Sequence, residues 1–517
     1  MRIKRILIAI ASLVFIFILS GFGCSGIKEE YWPTQEWRTS TPEEQGIDSE
    51  KLAEAVEHVL RNNVNIHSFL VIRNGHLVAD VCFFPYAPDT KHDVASVTKS
   101  LTSTLIGIAV EKGLIKSTDL SVLGFFSERT VNNLDEAKKS MSLADLLTMT
   151  SGLECIAQPT EVTLFQMMGS PDWVQFMLDL PMETEPGERF VYNSGAVHLL
   201  STIIRKATGK SALDFARSNL FEPLGISDLA WPMDPQGISN MGWGSMRMKP
   251  HDMAKLGYLY LKNGQWEGNQ ILPSSWVKEA TKSHANFQSG NGYGYLWWVY
   301  KDQTYSALGR GGQCIYVLPE KNLIIVMTGG GLPWGTLHFP NTFILPAVHE
   351  EKSSLPANPE GVSMLAKAAK KAAEGVKPLP TTPSPLPETA KNISGKEYIM
   401  SPNPFGILAF QMTFMNEKEA KVRLNLALDT DRSPEFHLGL DGIPRMSPGR
   451  FGIPAAGTAK WESENTFVIH INEIGNINRL DITLVFENDT ATMSLSEKGG
   501  LGGFTAQARI KVSSTEM

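Results

Sequence analysis

The chain has 517 residues, 42% of them hydrophobic and 20% charged, which is ordinary for a globular protein and allows several domains. Its formal net charge of −7, with no basic run interleaved with aromatic residues, argues against a nucleic-acid-binding protein. The four cysteines match no zinc or redox spacing and are too few for a disulfide framework. No His-Glu-x-x-His pattern is present, so we predict neither a metal nor a cofactor.

The N-terminus has the layout of an export signal. Basic residues precede an apolar run from Ile6 to Leu19, and small residues then lead to Cys24. This order is typical of a bacterial lipoprotein lipidated at Cys24, although Gly21 stands where an aliphatic residue is usual. A conventional cleaved signal and an uncleaved anchor are the alternatives. In each case residues 1–26 export the chain to the periplasm or cell surface, and a lipid or an anchor would hold it at the membrane.

Residues 27–350 are predicted to form one mixed α/β domain. Ser49–Leu60 has the spacing of an amphipathic helix, and strands His67–Ile72 and His76–Val81 flank an Asn-Gly hairpin signal at Asn74. Further helices are expected over 142–150, from about 196, over 250–261 and over 274–280, and further strands over 293–300, 306–308, 313–318 and 323–328. This order indicates an antiparallel sheet, completed by the C-terminal strands, with flanking helices and an all-helical region.

The composition changes after residue 350. Within residues 351–390, an Ala- and Lys-rich run from Val362 to Val376 is predicted to be an exposed helix, and the proline-rich stretch after it a semi-rigid linker. Residues 391–517 show short alternating runs that predict an all-β sandwich or barrel. We find no catalytic constellation in this tail. A structural or interaction role is therefore its default, and residues 1–390 are expected to fold and react without it.

One short motif in the first domain suggests chemistry: Ser-Val-Thr-Lys at 96–99, at the start of a predicted helix. Ser96 and Lys99 stand three residues apart and share a helix face. A serine hydroxyl needs a base to act as a nucleophile, and a half-buried lysine can be that base because desolvation lowers its pKa. The same spacing recurs at residues 25 and 28 and at residues 275 and 278, so the motif alone does not identify a site.

Two further segments carry residues suited to acyl transfer. Tyr192 lies on a loop after a Pro-Gly turn and just before an apolar helix. Arg310, Gly311 and Gly312 precede a strand, where glycines beside a cation allow close approach to a ligand and supply N–H donors. Taken singly, the tyrosine is better explained by packing, and the glycines are explained at least as well by a bulge or tight turn.

Together and in this order, these segments resemble the serine β-lactamase and penicillin-binding-protein superfamily, in the branch related to class C β-lactamases. The resemblance spans about residues 40–350. Other phrases typical of the family are Leu146–Leu153, Pro223–Gly225, Asp252–Gly257 and Gly292–Trp298. Tyr-Asn-Ser-Gly at 192–195 and Gly-Arg-Gly-Gly-Gln at 309–313 are most similar to the 6-aminohexanoate-dimer hydrolase and esterase members.

The resemblance implies a role for each matching residue. Ser96 would be the acylated nucleophile, Lys99 the base that keeps it activated, and Tyr192 the proton shuttle. The backbone N–H groups of Ser96 and Gln313 would form the oxyanion hole. The residues that would line the site and hold the substrate are Ser194, Arg310, Gly311 and Gly312. The tryptophans that could either wall the pocket or pack in the core are Trp173, Trp297 and Trp298.

Three departures from the family pattern bear on the substrate. Ser194 stands where β-lactamases have Asn, Arg310 replaces the usual lysine, and Met149 replaces a common histidine. We therefore expect an exported serine hydrolase that cleaves amide or ester bonds of small molecules or short peptides through an acyl-enzyme at Ser96. The alternatives are a DD-carboxypeptidase or β-lactamase that acts on cell-wall peptides or β-lactams, and a non-catalytic surface binding protein that retains the fold.

Overall fold

The computed structural model describes residues 30–157, 161–287, 290–332, 337–349, 352–375, 378–427, 434–449, 453–499 and 502–511. The predicted export segment lies outside these ranges, and with it Cys24 and the Ser-x-x-Lys pair at 25 and 28. Two large sheets dominate the described part of the chain, one of eight strands in the first domain and one of ten in the tail.

The helices and strands of the described residues follow one another in two sets. The α-helices are α1 Ser49–Asn62, α2 Val97–Glu111, α3 Glu136–Ser140, α4 Leu143–Leu147, α5 Val162–Met168, α6 Trp173–Asp179, α7 Ser194–Thr208, α8 Ala212–Ala216, α9 Pro250–Leu261, α10 Ser274–Ala280, α11 Pro359–Glu374 and α12 Glu388–Ile393. The strands of the first domain are β1 Ile66–Arg73, β2 His76–Cys82, β3 His92–Asp93, β4 Arg247–Met248, β5 Gln265–Trp266, β6 Asn269–Gln270, β7 Ala285–Phe287, β8 Asn291–Tyr293, β9 Trp298–Val299, β10 Tyr305–Gly309, β11 Gln313–Leu318 and β12 Leu323–Gly329. The strands of the tail are β13 Glu397–Met400, β14 Ile407–Asn416, β15 Glu419–Leu426, β16 Glu435–Gly439, β17 Arg445–Ser447, β18 Ala455–Trp461, β19 Thr466–Glu473, β20 Arg479–Glu487, β21 Thr490–Glu497 and β22 Gly502–Ile510.

The first sheet has the order β2-β1-β12-β11-β10-β9-β8-β7, and its neighbouring strands are antiparallel. Asn74 and Gly75 form the β1–β2 turn with φ values of 52° and 74°, the left-handed pair that an Asn-Gly signal predicts. Every residue of β1 and β12 is buried, so both faces of these strands are covered. The predicted antiparallel sheet with flanking helices is confirmed.

Helix α2 runs through the core of this domain. Every residue from Val97 to Ala109 is buried, so the helix has no face open to solvent over that length. Backbone carbonyls accept from several of its polar side chains: Ser100 Oγ donates to Leu296 O, and Thr102 Oγ1 donates to Gly242 O, each at 2.7 Å. The residue that begins this helix, Ser96, is therefore held on a rigid support.

The Ala- and Lys-rich helix is exposed on one face only, and its other face packs against the first domain, which was not predicted. One face of α11 joins the core of the first domain through Leu365, Ala368 and Ala372. The backbone N–H of Phe84 donates to Ala372 O at 2.9 Å. Alanines give this helix a narrow buried face that hydropathy alone does not distinguish from an exposed one.

In the tail, nine strands close into a barrel. The order β16-β15-β14-β13-β22-β21-β20-β19-β18 closes because β16 pairs in parallel with β18 at Gly439 and Thr458, and β17 pairs with β18 alongside. Alternate residues of β20 point into a separate hydrophobic core, as a closed barrel requires. The predicted all-β tail is confirmed as a barrel. Strands β13, β16, β17 and β18 were not predicted from the sequence.

Two smaller differences concern turns. The strand expected over 293–300 is split into β8 and β9, because Leu296 between them adopts a left-handed φ of 62°. The helix expected over 142–150 ends at Leu147, and Met149 has a φ of 60°.

Cys82, Cys155 and Cys314 are free thiols. Among the described residues, no helix combines the length and apolar character that a membrane crossing requires.

Candidate active site

Ser96 is placed by a strained turn between β3 and α2. Ala95 has a φ of 46°, an unusual conformation for a residue with a Cβ, and Ser96 follows with helical angles as the residue that caps α2. Asp93 Oδ1 accepts from the Ala95 N–H at 2.7 Å, and Thr98 Oγ1 donates to Ala95 O at 2.7 Å. The hydroxyl of Ser96 is thus presented at the start of a buried helix by groups that lock the preceding turn.

Lys99 lies one helical turn further on, against the hydroxyl of Ser96. Its Nζ is 2.8 Å from Ser96 Oγ and 2.9 Å from the carbonyl oxygen of Trp243. The side chain is buried, and this burial lowers the pKa of Lys99 from 10.5 to about 8. A substantial fraction of this amine is therefore neutral near physiological pH and able to accept a proton from Ser96.

Tyr192 completes a cluster of three with these two residues. Lys99 Nζ lies 4.8 Å from the centre of the Tyr192 ring, and the Tyr192 hydroxyl is near the Ser96 side chain. Burial raises the pKa of Tyr192 well above 10, so the phenol keeps its proton at neutral pH. Trp298 stacks on the ring with centroids 6.0 Å apart and planes at 18°. The tyrosine can thus relay a proton to or from the serine oxygen.

The residues after Tyr192 form the start of α7 and present unused polar atoms. Asn193 caps the helix, because its Oδ1 accepts from the Ala196 N–H at 3.0 Å. In the described part of the chain, Asn193 Nδ2 and Ser194 Oγ are buried without a hydrogen-bond partner. Met149 contacts this loop, because its Sδ accepts from the Asn193 N–H at 3.4 Å. Asn193 was not singled out in the sequence.

The Arg-Gly-Gly-Gln segment forms the turn between β10 and β11. Gly311 and Gly312 have φ values of 80° and 101°, which only glycine adopts without strain. Gln313 anchors the turn from inside, because its Nε2 donates to Arg310 O at 3.1 Å and to Gly329 O at 2.6 Å. A Cβ on Gly309 would lie 2.5 Å from the carbonyl oxygen of Val94, so this turn packs closely against the segment that leads to Ser96.

The side chain of Arg310 is directed at the barrel domain. Its Nη1 donates to Gly499 O at 2.6 Å and its Nη2 to Asn478 Oδ1 at 3.1 Å, while Nη1 lies 3.6 Å from Glu497 Oε2. The expectation that Arg310 lines the site and helps to hold the substrate remains a prediction, and these contacts show that the guanidinium already has protein partners. They also place the tail beside the first domain's Ser96 cluster.

Glu161 is a charged residue beside the cluster that no sequence signal marked. It precedes α5 with a left-handed φ of 51°, and its Oε2 is buried without a hydrogen-bond partner among the described residues. Burial lowers the pKa of Lys99, and the negative charge of Glu161 acts in the opposite direction. Glu161 thus tunes the proposed base, and only the path of the chain brings it there.

The remaining candidates separate clearly. Ser275 and Lys278 lie exposed on α10, so this copy of the motif lacks the burial that Lys99 has. Trp297 and Trp173 are buried in the core, and among the three candidate tryptophans Trp298 contacts Tyr192. Among the described residues, no group of three or more His, Cys, Asp or Glu side chains is arranged to hold a metal ion.

A serine at the start of a buried helix, with a lysine and a tyrosine on its hydroxyl, defines an enzyme of the serine-hydrolase class. The Beta-lactamase family matches residues 57–342, more than half of the chain, and the chain belongs to that family. It is a serine hydrolase of the amidase and esterase type.

Individual relatives share modest identity with this chain. A 6-aminohexanoate-dimer hydrolase of Paenarthrobacter ureafaciens is 23% identical over 282 residues, which cover 50% of this chain and 71% of that enzyme. A protein of Alkalihalophilus pseudofirmus is 26% identical over 276 residues, or 46% of this chain and 73% of its own. Among solved structures, the octameric penicillin-binding protein homologue from Pyrococcus abyssi has a TM-score of 0.48 at 16% identity, over 89% of this chain and 99% of its own.

Proposed function

We propose that this protein is an exported hydrolase that cleaves amide or ester bonds of small molecules or short peptides through an acyl-enzyme at Ser96. The observation that carries the proposal is the buried Lys99 amine, 2.8 Å from Ser96 Oγ, with a pKa lowered to about 8. A lysine used only for structure gains nothing from this placement, because an unneutralised buried charge costs stability.

In the proposed reaction, neutral Lys99 takes the proton of Ser96 as its Oγ attacks the substrate carbonyl. The backbone N–H groups of Ser96 and Gln313 donate to the resulting oxyanion, and each such donor contributes about 3 kcal/mol in comparable sites. Tyr192 gives its proton to the leaving amine or alcohol and regains one from Lys99. A water molecule, deprotonated by the same groups, then attacks the acyl ester and releases the acid and Ser96.

Two polar atoms at the start of α7 support the proposed substrate class. Asn193 Nδ2 and Ser194 Oγ are a donor and a hydroxyl without a partner among the described residues, and they suit an amide or ester group of the substrate. The shared ancestry with a 6-aminohexanoate-dimer hydrolase supports a linear amide as one candidate.

The test is covalent labelling followed by a substrate panel. A fluorophosphonate probe should add one mass increment to the wild-type protein and none to Ser96→Ala or Lys99→Ala, while Ser275→Ala serves as the control and labels normally. The panel contains p-nitrophenyl esters, linear amides, D-amino-acid amides and β-lactams. Equal labelling of wild type and Ser96→Ala would overturn the acyl-enzyme and favour the binding-protein alternative. Labelling by a fluorescent penicillin, without turnover of esters or linear amides, would favour a DD-carboxypeptidase or β-lactamase.

Export rests on the N-terminal sequence. If Cys24 is lipidated, the protein expressed in a bacterium incorporates a labelled fatty acid, and Cys24→Ala loses that label. A wild type that stays in the membrane without the label would point to an uncleaved anchor, and an unlabelled wild type found free in the exported fraction would point to plain cleavage.

A further inference from the structure

We propose that the barrel domain is a working part of the active site, because it clamps both segments that carry the oxyanion donors. The inference rests on the proposed function, since it concerns the N–H groups of Ser96 and Gln313. The contacts argue against the expectation that residues 1–390 react without the tail.

The first clamp holds the segment before Ser96. The N–H of Asp93 donates to the carbonyl oxygen of Gly475, in the loop between β19 and β20, at 2.8 Å. A Cβ on Gly475 would lie 2.4 Å from Lys91 O, so the two backbones are in direct contact. Asp93 in turn accepts from the Ala95 N–H. One barrel loop is thus connected by two hydrogen bonds to the turn that presents Ser96.

The second clamp holds the turn before Gln313. The two terminal nitrogens of the Arg310 guanidinium donate to two different barrel loops, one to Asn478 after β19 and the other to Gly499 after β21. Glu497 lies 3.6 Å from the same guanidinium, and its side chain is 1% exposed. Because a planar guanidinium can bridge two acceptors, while an ammonium is a point charge, arginine suits this position better than lysine.

Packing reinforces the second clamp. A Cβ on Gly311 would lie 2.4 Å from Ile477 Cγ2, and one on Gly331 would lie 2.5 Å from Lys498 O. The loop between β19 and β20 is itself braced, because Asn476 and Asn478 both donate to Glu473 Oε2, at 2.8 and 3.2 Å. A loop fixed in this way can transmit the position of the barrel to the β10–β11 turn.

Arg310 is therefore a positioning residue, and its loss should affect the transition state more than substrate binding. The oxyanion donors act only when they lie within hydrogen-bond reach of the charge that develops, so a displaced turn lowers kcat. The substrate contacts proposed for Asn193 and Ser194 lie at the start of a different helix. Replacing Arg310 should therefore leave KM nearly unchanged. A merely structural role would alter the fraction of folded enzyme without this separation.

The experiment uses full-length Arg310→Ala, Arg310→Lys and Asn478→Ala on the best ester of the panel, with active sites counted by the fluorophosphonate probe. We expect kcat per active site to fall about ten- to a hundred-fold in Arg310→Ala, with KM changed less than about three-fold. Asn478→Ala should fall less, and Arg310→Lys should lie between Arg310→Ala and wild type. Arg423→Ala removes an exposed ion pair with Glu435 on the same barrel and is the matched control, expected at wild-type kcat.

Wild-type kcat and KM in Arg310→Ala would overturn the inference, as would a rise in KM alone, which would return Arg310 to substrate binding. If Arg310→Ala does not fold, Asn478→Ala decides by the same criteria, because it removes one arm of the clamp from the barrel side. The proposed function fails separately, when Ser96→Ala keeps labelling and turnover. An inactive Ser96→Ala with a fully active Arg310→Ala refutes the clamp and leaves the hydrolase intact.

Discussion

The lowered pKa of Lys99 predicts the pH dependence of acylation. With a pKa of about 8, about one amine in eleven is neutral at pH 7, whereas an ordinary lysine has about one in three thousand. The difference is about 300-fold in available base, or about 3 kcal/mol. Because the neutral amine is the reactive form, the single-turnover acylation rate should rise about ten-fold per pH unit below pH 8 and level off above it.

The assay is stopped-flow acylation by a p-nitrophenyl ester between pH 5.5 and 10, corrected for spontaneous hydrolysis. Glu161→Gln tests the direction in which the pKa of Lys99 should move. The charge of Glu161 favours the protonated amine, so its removal should move the inflection to lower pH. The control is Lys278→Ala, which removes the exposed lysine of the other Ser-x-x-Lys pair and should leave the profile unchanged. An inflection near 10, a flat profile, or a shift to higher pH in Glu161→Gln would refute the assignment of Lys99 as the base.

Three further predictions concern stability. Lys99→Met should abolish acylation yet raise the free energy of unfolding at pH 7 by about 1–2 kcal/mol. The gain arises because the variant removes a buried amine whose protonation is disfavoured, and it is reduced because the carbonyl of Trp243 loses its donor. An unchanged or lower melting temperature would contradict this. Gly312→Ala should lower the free energy of unfolding by about 1–3 kcal/mol and remove most activity, because φ is 101° and the added Cβ would lie 2.6 Å from Leu332 Cδ1. The matched control is Gly113→Ala, which has a φ of 67° and no neighbour within 4 Å and should keep full activity. Leu365→Ala should cost about 2–3 kcal/mol in urea unfolding while Met364→Ala, at a 44% exposed position on the same helix, costs little; equal small losses would mean that α11 does not hold the core.

Local sequence patterns predicted most of the helices and strands of the fold. The Asn74-Gly75 turn, α9 and α10 lie where the sequence places them, because hairpin chemistry and helix periodicity act within a dozen residues. The single strand predicted over 293–300 was wrong at Leu296, because nothing in Tyr-Leu-Trp-Trp signals a left-handed residue in this apolar run. Helix α11 was misjudged for a related reason, because small alanines form its buried face.

The site was only partly predictable for a different reason, namely the distance along the chain between its parts. Ser96 and Lys99 are neighbours on one helix, so spacing alone brings them together. Arg310 meets Gly499 across 189 residues, and no local pattern encodes that contact. Glu161 acts on Lys99 through its charge, from a segment whose sequence carries no recognisable motif. Tyr192 is also distant from Ser96 along the chain, but the family resemblance predicted its place. Glu161 and the contacts of Arg310 had no such motif to indicate them.

The two described copies of Ser-x-x-Lys show what the motif contributes and what the fold adds. Both place a lysine one helical turn after a serine, at 96 and 99 on α2 and at 275 and 278 on α10. On α10 both side chains are exposed, so Lys278 lacks the burial that surrounds Lys99. On α2 the core closes around Lys99, and desolvation lowers its pKa to about 8. The spacing therefore supplies proximity alone, and the burial of α2 supplies the base.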